Sequence, residues 1–150
     1  MPVLMSYLWR GGPNMSVCIE IRRATNLDIA NLKEMVLDEQ DYSFGSITAG
    51  SEFVGAIVFV IQFGSEIAGF VTFRSASSEI FPIFVFSRYR RKGIAFEAMN
   101  QLIALLKENG REELIIEVRE GAEAFWMRVF ADYPVKCIAE SKFSLDISKR

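Results

Sequence analysis

The stretch from Val54 to Ser75 constrains the fold of this chain more than any other. Two apolar runs, Val54–Phe63 and Ile67–Ser75, have Gly64-Ser65 between them, followed by Glu66. A Gly-Ser pair between strand-like runs is a good tight hairpin turn. A third run, Glu79–Phe86, follows a turn at Ser75–Ser78, so the three make a meander. Pro82 lies inside the third run and has no N–H for the ladder, which predicts a bulge or an unpaired edge there. Phe53–Phe63 is the most apolar segment, yet far short of the roughly 20 residues of a bilayer span, so it reads as a buried strand. Whether helices cover that strand or it joins the sheet of a second copy stays open at this level, as does the choice between monomer and homodimer.

Other elements flank the meander. Val17–Arg23 alternates, with Val17, Ile19 and Ile21 on one side, as a half-buried strand does. Thr25 and Asp28 form a capping pair ahead of a helix that carries Ile29, Leu32, Met35 and Val36 on one face and ends near Gln40. Asp41–Glu52 reads as loop with at most a short helix. After the meander a basic loop, Arg88–Gly93, leads into an amphipathic helix to about Glu108, with Ile94, Ala98, Leu102, Leu105 and Leu106 as its stripe and Asn109-Gly110 as its stop. A strand at Leu114–Val118, a helix from Ala122 to about Ala131, and two short strands near Val135–Ala139 and Lys142–Ile147 complete the chain. The order β-α-β-β-β-α-β-α-β-β predicts a mixed α/β domain with one sheet of six to seven strands, mostly antiparallel, flanked by helices. Residues 15–150 read as that single domain, and 1–14, with Gly11-Gly12-Pro13, as an irregular extension.

Composition narrows the chemistry. The 150 residues are 51% apolar and 24% charged, with a net charge of −2, enough apolar material for one core and no general reason to expect nucleic acid or an anionic membrane as partner. Histidine is absent and the cysteines are two, Cys18 and Cys137, so no metal site is expected, and histidine-based catalysis is excluded. The thiols are expected to be buried and reduced, as in a cytoplasmic protein. Met1–Trp9 lacks the basic flank and small-residue cleavage pattern of a secretory signal.

The stretch Val85–Phe96 carries the strongest functional signal. A strand ends, four cations fall within five residues (Arg88, Arg90, Arg91, Lys92), and a long helix begins at Gly93-Ile94-Ala95-Phe96. Helix N-termini offer unpaired N–H groups and partial positive charge to an anion. Gly93 lets backbone approach a ligand closely, and Ala95 is nearly as small. The same residues are also what a solvated basic loop looks like.

Arg90-x-x-Gly93-x-Ala95 resembles the Q/R-x-x-G-x-G/A pyrophosphate loop of the GNAT superfamily of N-acetyltransferases, and Val85-x-Ser87-x-Tyr89-Arg90 resembles its V-x-P-x-Y-R lead-in, with Ser87 for proline. The element order matches from Val17 to Ile147. The resemblance implies acetyl-coenzyme A as donor, a primary amine on a small molecule or peptide as acceptor, and no metal. It implies that the loop holds the pyrophosphate, with Arg90, Arg91, Lys92, Gly93, Ile94, Ala95 and Phe96 as its residues. It further implies that the backbones of Ile83, Phe84 and Val85 pair with the pantetheine arm, that an N–H near Ile83 or Phe84 polarises the thioester, and that Trp126 packs beside it. Glu79 opens the same strand eleven residues before Arg90, similar to the glutamate base of the histone-acetyltransferase branch. It is equally the residue a solvated strand start would carry.

The acid is less legible. Ala122–Arg128 resembles the family's A-x-x-F-W/Y-x-K segment, with Trp126 where a tyrosine often protonates the leaving thiolate. Water, Tyr133 or no acid at all are the alternatives. Asp38, Glu39, Asp41 and Glu52 read either as an acidic mouth for a cationic amine or as ordinary surface charges. Two other readings follow: an acyl-coenzyme A sensing domain without turnover, and an interaction module whose basic loop meets an acidic partner.

Overall fold

The computed structural model describes residues 18–39 and 55–148. The proposed extension 1–14, Val17, Gln40, the loop Asp41–Glu52 and the start of the apolar strand at Val54 lie outside these residues. Within them the chain runs β1 (Ile19–Arg23), α1 (Asn26–Leu37), β2 (Ile57–Phe63), β3 (Glu66–Arg74), β4 (Glu79–Val85), α2 (Ile94–Glu108), β5 (Glu113–Glu117), α3 (Glu123–Phe130), β6 (Val135–Ala139) and β7 (Lys142–Asp146). The described strands form one seven-stranded sheet in the order β1-β2-β3-β4-β5-β7-β6. Only β4 and β5 pair in parallel, across the α2 crossover. The expected element order and mixed α/β class are the ones observed.

Helix α1 ends earlier than its pattern implies. Asp38 closes it, with its backbone N–H donating to the carbonyls of Met35 and Val36. At the other end Thr25 and Asp28 form a complete capping box, and Asp28 also receives both terminal nitrogens of Arg22 at 2.6 and 3.2 Å. The Arg22 hydrogen bond, and then the Thr25 N–H, hold the Asp28 carboxyl well below the usual carboxylate range.

The strand β2 is not available to a dimer sheet. It lies between β1 and β3, and both faces are covered because its residues alternate between two cores. Val58 and Val60 pack with Leu32 and Val36 of α1 and with Phe70. Phe59 packs with Val71, Phe73 and Ile80 and with Met99, Leu102, Ile103 and Leu106 of α2. The edge strand β1 is closed by a side chain: Gln101 of α2 accepts from the Ile21 N–H at 3.0 Å and donates to the Ile19 carbonyl at 2.7 Å. At the opposite edge all of β6 is exposed, Cys137 included, so the expectation of two buried thiols fails there.

Gly69 fixes how β3 meets β4. A Cβ at this position would lie 2.2 Å from the Phe84 carbonyl oxygen and 2.9 Å from Val85 Cα, both backbone atoms that cannot swing aside. Gly69→Ala is therefore expected to destabilise the fold by about 1–3 kcal/mol, read as a lower urea midpoint. Asp28 gives a pH signature. Its carboxyl is depressed in the folded state, so its contribution is present above the unfolded value near ~3.9 and is lost as pH falls through and below that value. Asp28→Asn should lower stability at pH 7 by roughly 1–3 kcal/mol and flatten the loss of stability below about pH 4, measured as melting temperature against pH.

Candidate active site

The sheet opens beyond Ile80. β5 pairs with β4 only at Glu79–Ile115 and Ile80–Ile116. On its other side β4 stays on β3, but with an extra residue: Phe73 pairs with Ile80 and Val71 with Ile83, so Phe81 and Pro82 together stand opposite Thr72. Such a bulge bends a strand and sharpens its twist, and Pro82 has no N–H to offer a neighbour. The bulge expected from Pro82 is present, and β4 and β5 diverge past it.

The register decides which peptide groups face the opening. The Phe86 N–H donates to the Ala68 carbonyl at 2.8 Å. Bonded and non-bonded pairs alternate along an antiparallel ladder, so Phe84 also bonds β3, while Ile83 and Val85 turn their peptide groups toward the gap. The sequence grouped Ile83, Phe84 and Val85 as one backbone set; the register removes Phe84 from it. Phe84 contributes a ring instead, 6.0 Å from Phe70 and 5.6 Å from Phe86. A small cavity of about 80 Å³ sits in the gap against Ile80, Pro82, Ile83, Ile116, Ala122 and Trp126.

The basic loop follows at the end of β4. A single 3-10 turn, Ser87–Tyr89, leads to Arg91 and Gly93, both in the left-handed region at φ 65° and 76°. Gly93 is the N-cap of α2 and supplies no side-chain cap, so the N–H groups of Ile94, Ala95 and Phe96 form an open helix end. A Cβ on Gly93 would meet nothing within 4 Å, which shows clear space above the turn. A cavity of about 240 Å³ occupies that space, bounded by Val85, Arg91, Gly93, Ala95, Phe125 and Arg128.

The four cations of the loop are not equivalent. Arg88 lies 3.9 Å from Glu66 and over the Tyr89 ring. Arg90 donates from Nε to the Val85 carbonyl at 2.7 Å, approaches Glu39 at 3.8 Å and covers the Phe84 ring. The sequence placed its guanidinium among the anion-binding groups; its contacts make it a brace between strand, loop and helix α1. Arg91 and Lys92 are exposed and form no ion pair among the described residues. Arg128, absent from the sequence-derived set, lies 4.1 Å over the Phe96 ring and borders the cavity. Its signal was the A-x-x-F-W/Y-x-K likeness, where it holds the lysine position.

Two carboxylates hold the loop in place. Glu39, just past the end of α1, accepts from the Ser87 N–H at 3.1 Å and its hydroxyl at 3.4 Å. This contact occupies one of the four acids suggested as an acceptor mouth; Asp41 and Glu52 lie outside the described residues. The buried Tyr89 hydroxyl donates to Glu66 in a short hydrogen bond. Burial first, and the Glu66 carboxylate second, push its phenol above the ordinary value, so it remains a donor.

Glu79, Trp126 and Tyr133 separate. Glu79 opens β4 opposite Arg74, with Lys142 Nζ at 3.4 Å and the Ser77 hydroxyl at 3.4 Å. Trp126 is buried among the α2 and α3 residues on the other face of the sheet and forms a wall of the gap. Tyr133 packs on the same core from the turn after α3 and borders neither cavity. The structure therefore brings together Ile83, Val85, Arg91, Gly93, Ala95, Phe96 and Trp126, and leaves Tyr133 apart.

A split between a parallel strand pair, followed by an uncapped helix end, defines a class of fold, and comparison with known proteins agrees. A profile of the acetyltransferase (GNAT) family matches residues 20–130, and the chain belongs to that family. No curated protein sequence matches it. Among solved structures it is similar to the ribosomal-protein-S18-alanine N-acetyltransferase from Escherichia coli, at 17% identity and a TM-score of 0.67, covering 89% of this chain and 96% of that one. It is also similar to the PaiA N-acetyltransferase from Thermoplasma acidophilum in complex with coenzyme A (15%, 0.62, 85% and 97%). An N-acetyltransferase from Staphylococcus aureus Mu50 gives 20%, 0.61, 87% and 98%. At these identities the likeness is one of fold.

The clamp at Glu39 is testable without any ligand. Arg88, Arg90, Arg91 and Lys92 are trypsin sites in one exposed loop. Glu39→Ala releases Ser87 and Arg90, and cleavage within 88–92 is expected to accelerate severalfold under native conditions while the melting temperature changes little. An unchanged cleavage rate would show that Glu39 does not hold the loop.

Proposed function

We propose that the chain is an acyl-coenzyme A-dependent N-acetyltransferase that moves an acetyl group from acetyl-coenzyme A to a primary amine. The observation that carries this reading is the gap between β4 and β5, with the peptide groups of Ile83 and Val85 turned into it and the open N-terminus of α2 beyond. The residues fit such a donor. The amides of Arg91–Phe96, with clear space above Gly93, suit a pyrophosphate, and Arg91, Lys92 and Arg128 surround it with positive charge. Ile83 and Val85 would pair with the amides of the pantetheine arm as an added strand does. The Arg90 Nε would yield the Val85 carbonyl or share it.

The chemistry then falls to few groups. The Ile83 N–H points where a thioester oxygen would gain charge as the amine nitrogen attacks the carbonyl carbon. Glu79, at the start of β4, would serve as base, through water, for the proton the attacking nitrogen gives up. As the C–S bond breaks the thiolate takes a proton from water, since Trp126 supplies a wall and Tyr133 lies elsewhere. Holding the two reactants in line contributes much of the rate in such a site. The acceptor is a small-molecule or peptide amine.

The wall at Trp126 and the remoteness of Tyr133 favour a second reading, an acyl-coenzyme A sensing domain without turnover. Two experiments decide. Calorimetry with acetyl-coenzyme A should show micromolar binding that Gly93→Glu abolishes, because the new side chain puts bulk and negative charge above the turn; no binding by the folded native chain contradicts both readings. A thiol-release assay across a panel of amines should show turnover, with Glu79→Gln lowering kcat by roughly 100-fold or more and leaving donor affinity unchanged. Binding without release of thiol for any amine would favour the sensor.

A further inference from the structure

A second built cavity lies at the other end of α2. It is a half-open recess of about 420 Å³ between that helix and the first three strands, within the range of small-molecule sites, roughly 300–1,000 Å³. Its floor is apolar: the half-buried Ile57 and Leu105 face the space, over the buried Phe59, Phe73 and Leu106. Its rim is cationic, with Arg23 from the end of β1 and Arg111 from the loop after α2. Helix α2 has 15 residues, so this cavity stands about 20 Å from the Gly93 turn and belongs to a different site.

The two arginines distinguish this cavity from an ordinary surface recess. Neither forms an ion pair among the described residues, although the chain as a whole is slightly acidic. Arg22 also lines the cavity, but its guanidinium is bound to Asp28. Arg111 is held in place: the chain reverses at Gly110, the Arg111 N–H donates to the Leu106 carbonyl at 3.0 Å, and the guanidinium lies 5.2 Å over the Phe73 ring. The negative end of the α2 dipole also points here, which opposes an anion. Three of its last carbonyls already accept, however: Leu105 from the backbone and side-chain N–H groups of Asn109 at 3.1 and 2.9 Å, Leu106 from Arg111 at 3.0 Å and Lys107 from Gly110 at 3.0 Å. Arginine is the residue suited to planar carboxylates, and an apolar floor below two of them selects a body that prefers to leave water.

We propose that this cavity binds a small amphipathic carboxylate, with the carboxylate between Arg23 and Arg111 and the apolar body on the half-buried Ile57 and Leu105. Charge complementarity selects the anion, and the size of the recess suits a soluble molecule of medium chain length. The site is independent of the acetyl-transfer reading.

The test titrates sodium octanoate into the native chain and follows backbone amide shifts, with coenzyme A present to keep octanoate from the Gly93 turn. The expected result is saturable shifts at Arg23, Ile57, Leu105 and Arg111. Arg23→Gln and Arg111→Gln should each weaken the affinity about fivefold or more, and octan-1-ol, which lacks the charge, should bind the native chain correspondingly more weakly. The octanol comparison needs no variant, so it stands even where a substitution disturbs folding, which the amide spectrum of each variant reports. Absence of saturable shifts, shifts confined to the Gly93 turn, or equal binding of octanoate and octanol would each overturn the proposal. Should coenzyme A fail to bind, the location of the shifts still shows which cavity fills.

Discussion

Strand pairing normally continues as long as two strands run together, because every unpaired peptide group in a sheet interior costs free energy. In this chain the pairing of β4 with β5 stops after two residues. The proline in β4 and the extra residue beside it bend the strand away, and Ile83 and Val85 are left with peptide groups turned to an opening in the middle of a seven-stranded sheet. A sheet interior that declines to pair with itself is set up to pair with something else. The remaining features follow from that opening: α2 starts at its mouth and α3 walls it with Trp126.

Keeping such an opening demands rigidity around it. Gly69 allows β3 to sit against the Phe84 carbonyl, so β4 is gripped on one side while it is free on the other. Glu39 and Glu66 hold the loop that follows, one through Ser87 and Arg90, the other through Tyr89 and Arg88. Half of the loop's positive charge is thereby spent on its own shape. What remains for a ligand is the exposed pair Arg91 and Lys92, with Arg128 arriving from α3.

Much of this was legible in the sequence because it is written locally. The Gly64-Ser65 hairpin, the Thr25–Asp28 capping box, the Asn109-Gly110 stop and the bulge at Pro82 are each set by residues a few positions apart. The family motif at Arg90–Ala95 is local too. What escaped the sequence depends on neighbours distant along the chain. The role of Arg90 is decided by Glu39, and the exclusion of Phe84 from the backbone set by the parity of its pairing with Phe70. Likewise Tyr133 falls outside the gap because the turn after α3 carries it away, and Cys137 is exposed because β6 is the last strand of the sheet.

The central claim is that the peptide groups of Ile83 and Val85 are open in the free chain and are filled by the donor. Residue-resolved amide hydrogen exchange tests it most directly. In the ligand-free protein the account predicts slow exchange at Phe84, fast exchange at Ile83 and Val85, and strong protection of those two when acetyl-coenzyme A is added. Slow exchange at Ile83 and Val85 without ligand, or rates that acetyl-coenzyme A leaves unchanged, would contradict it.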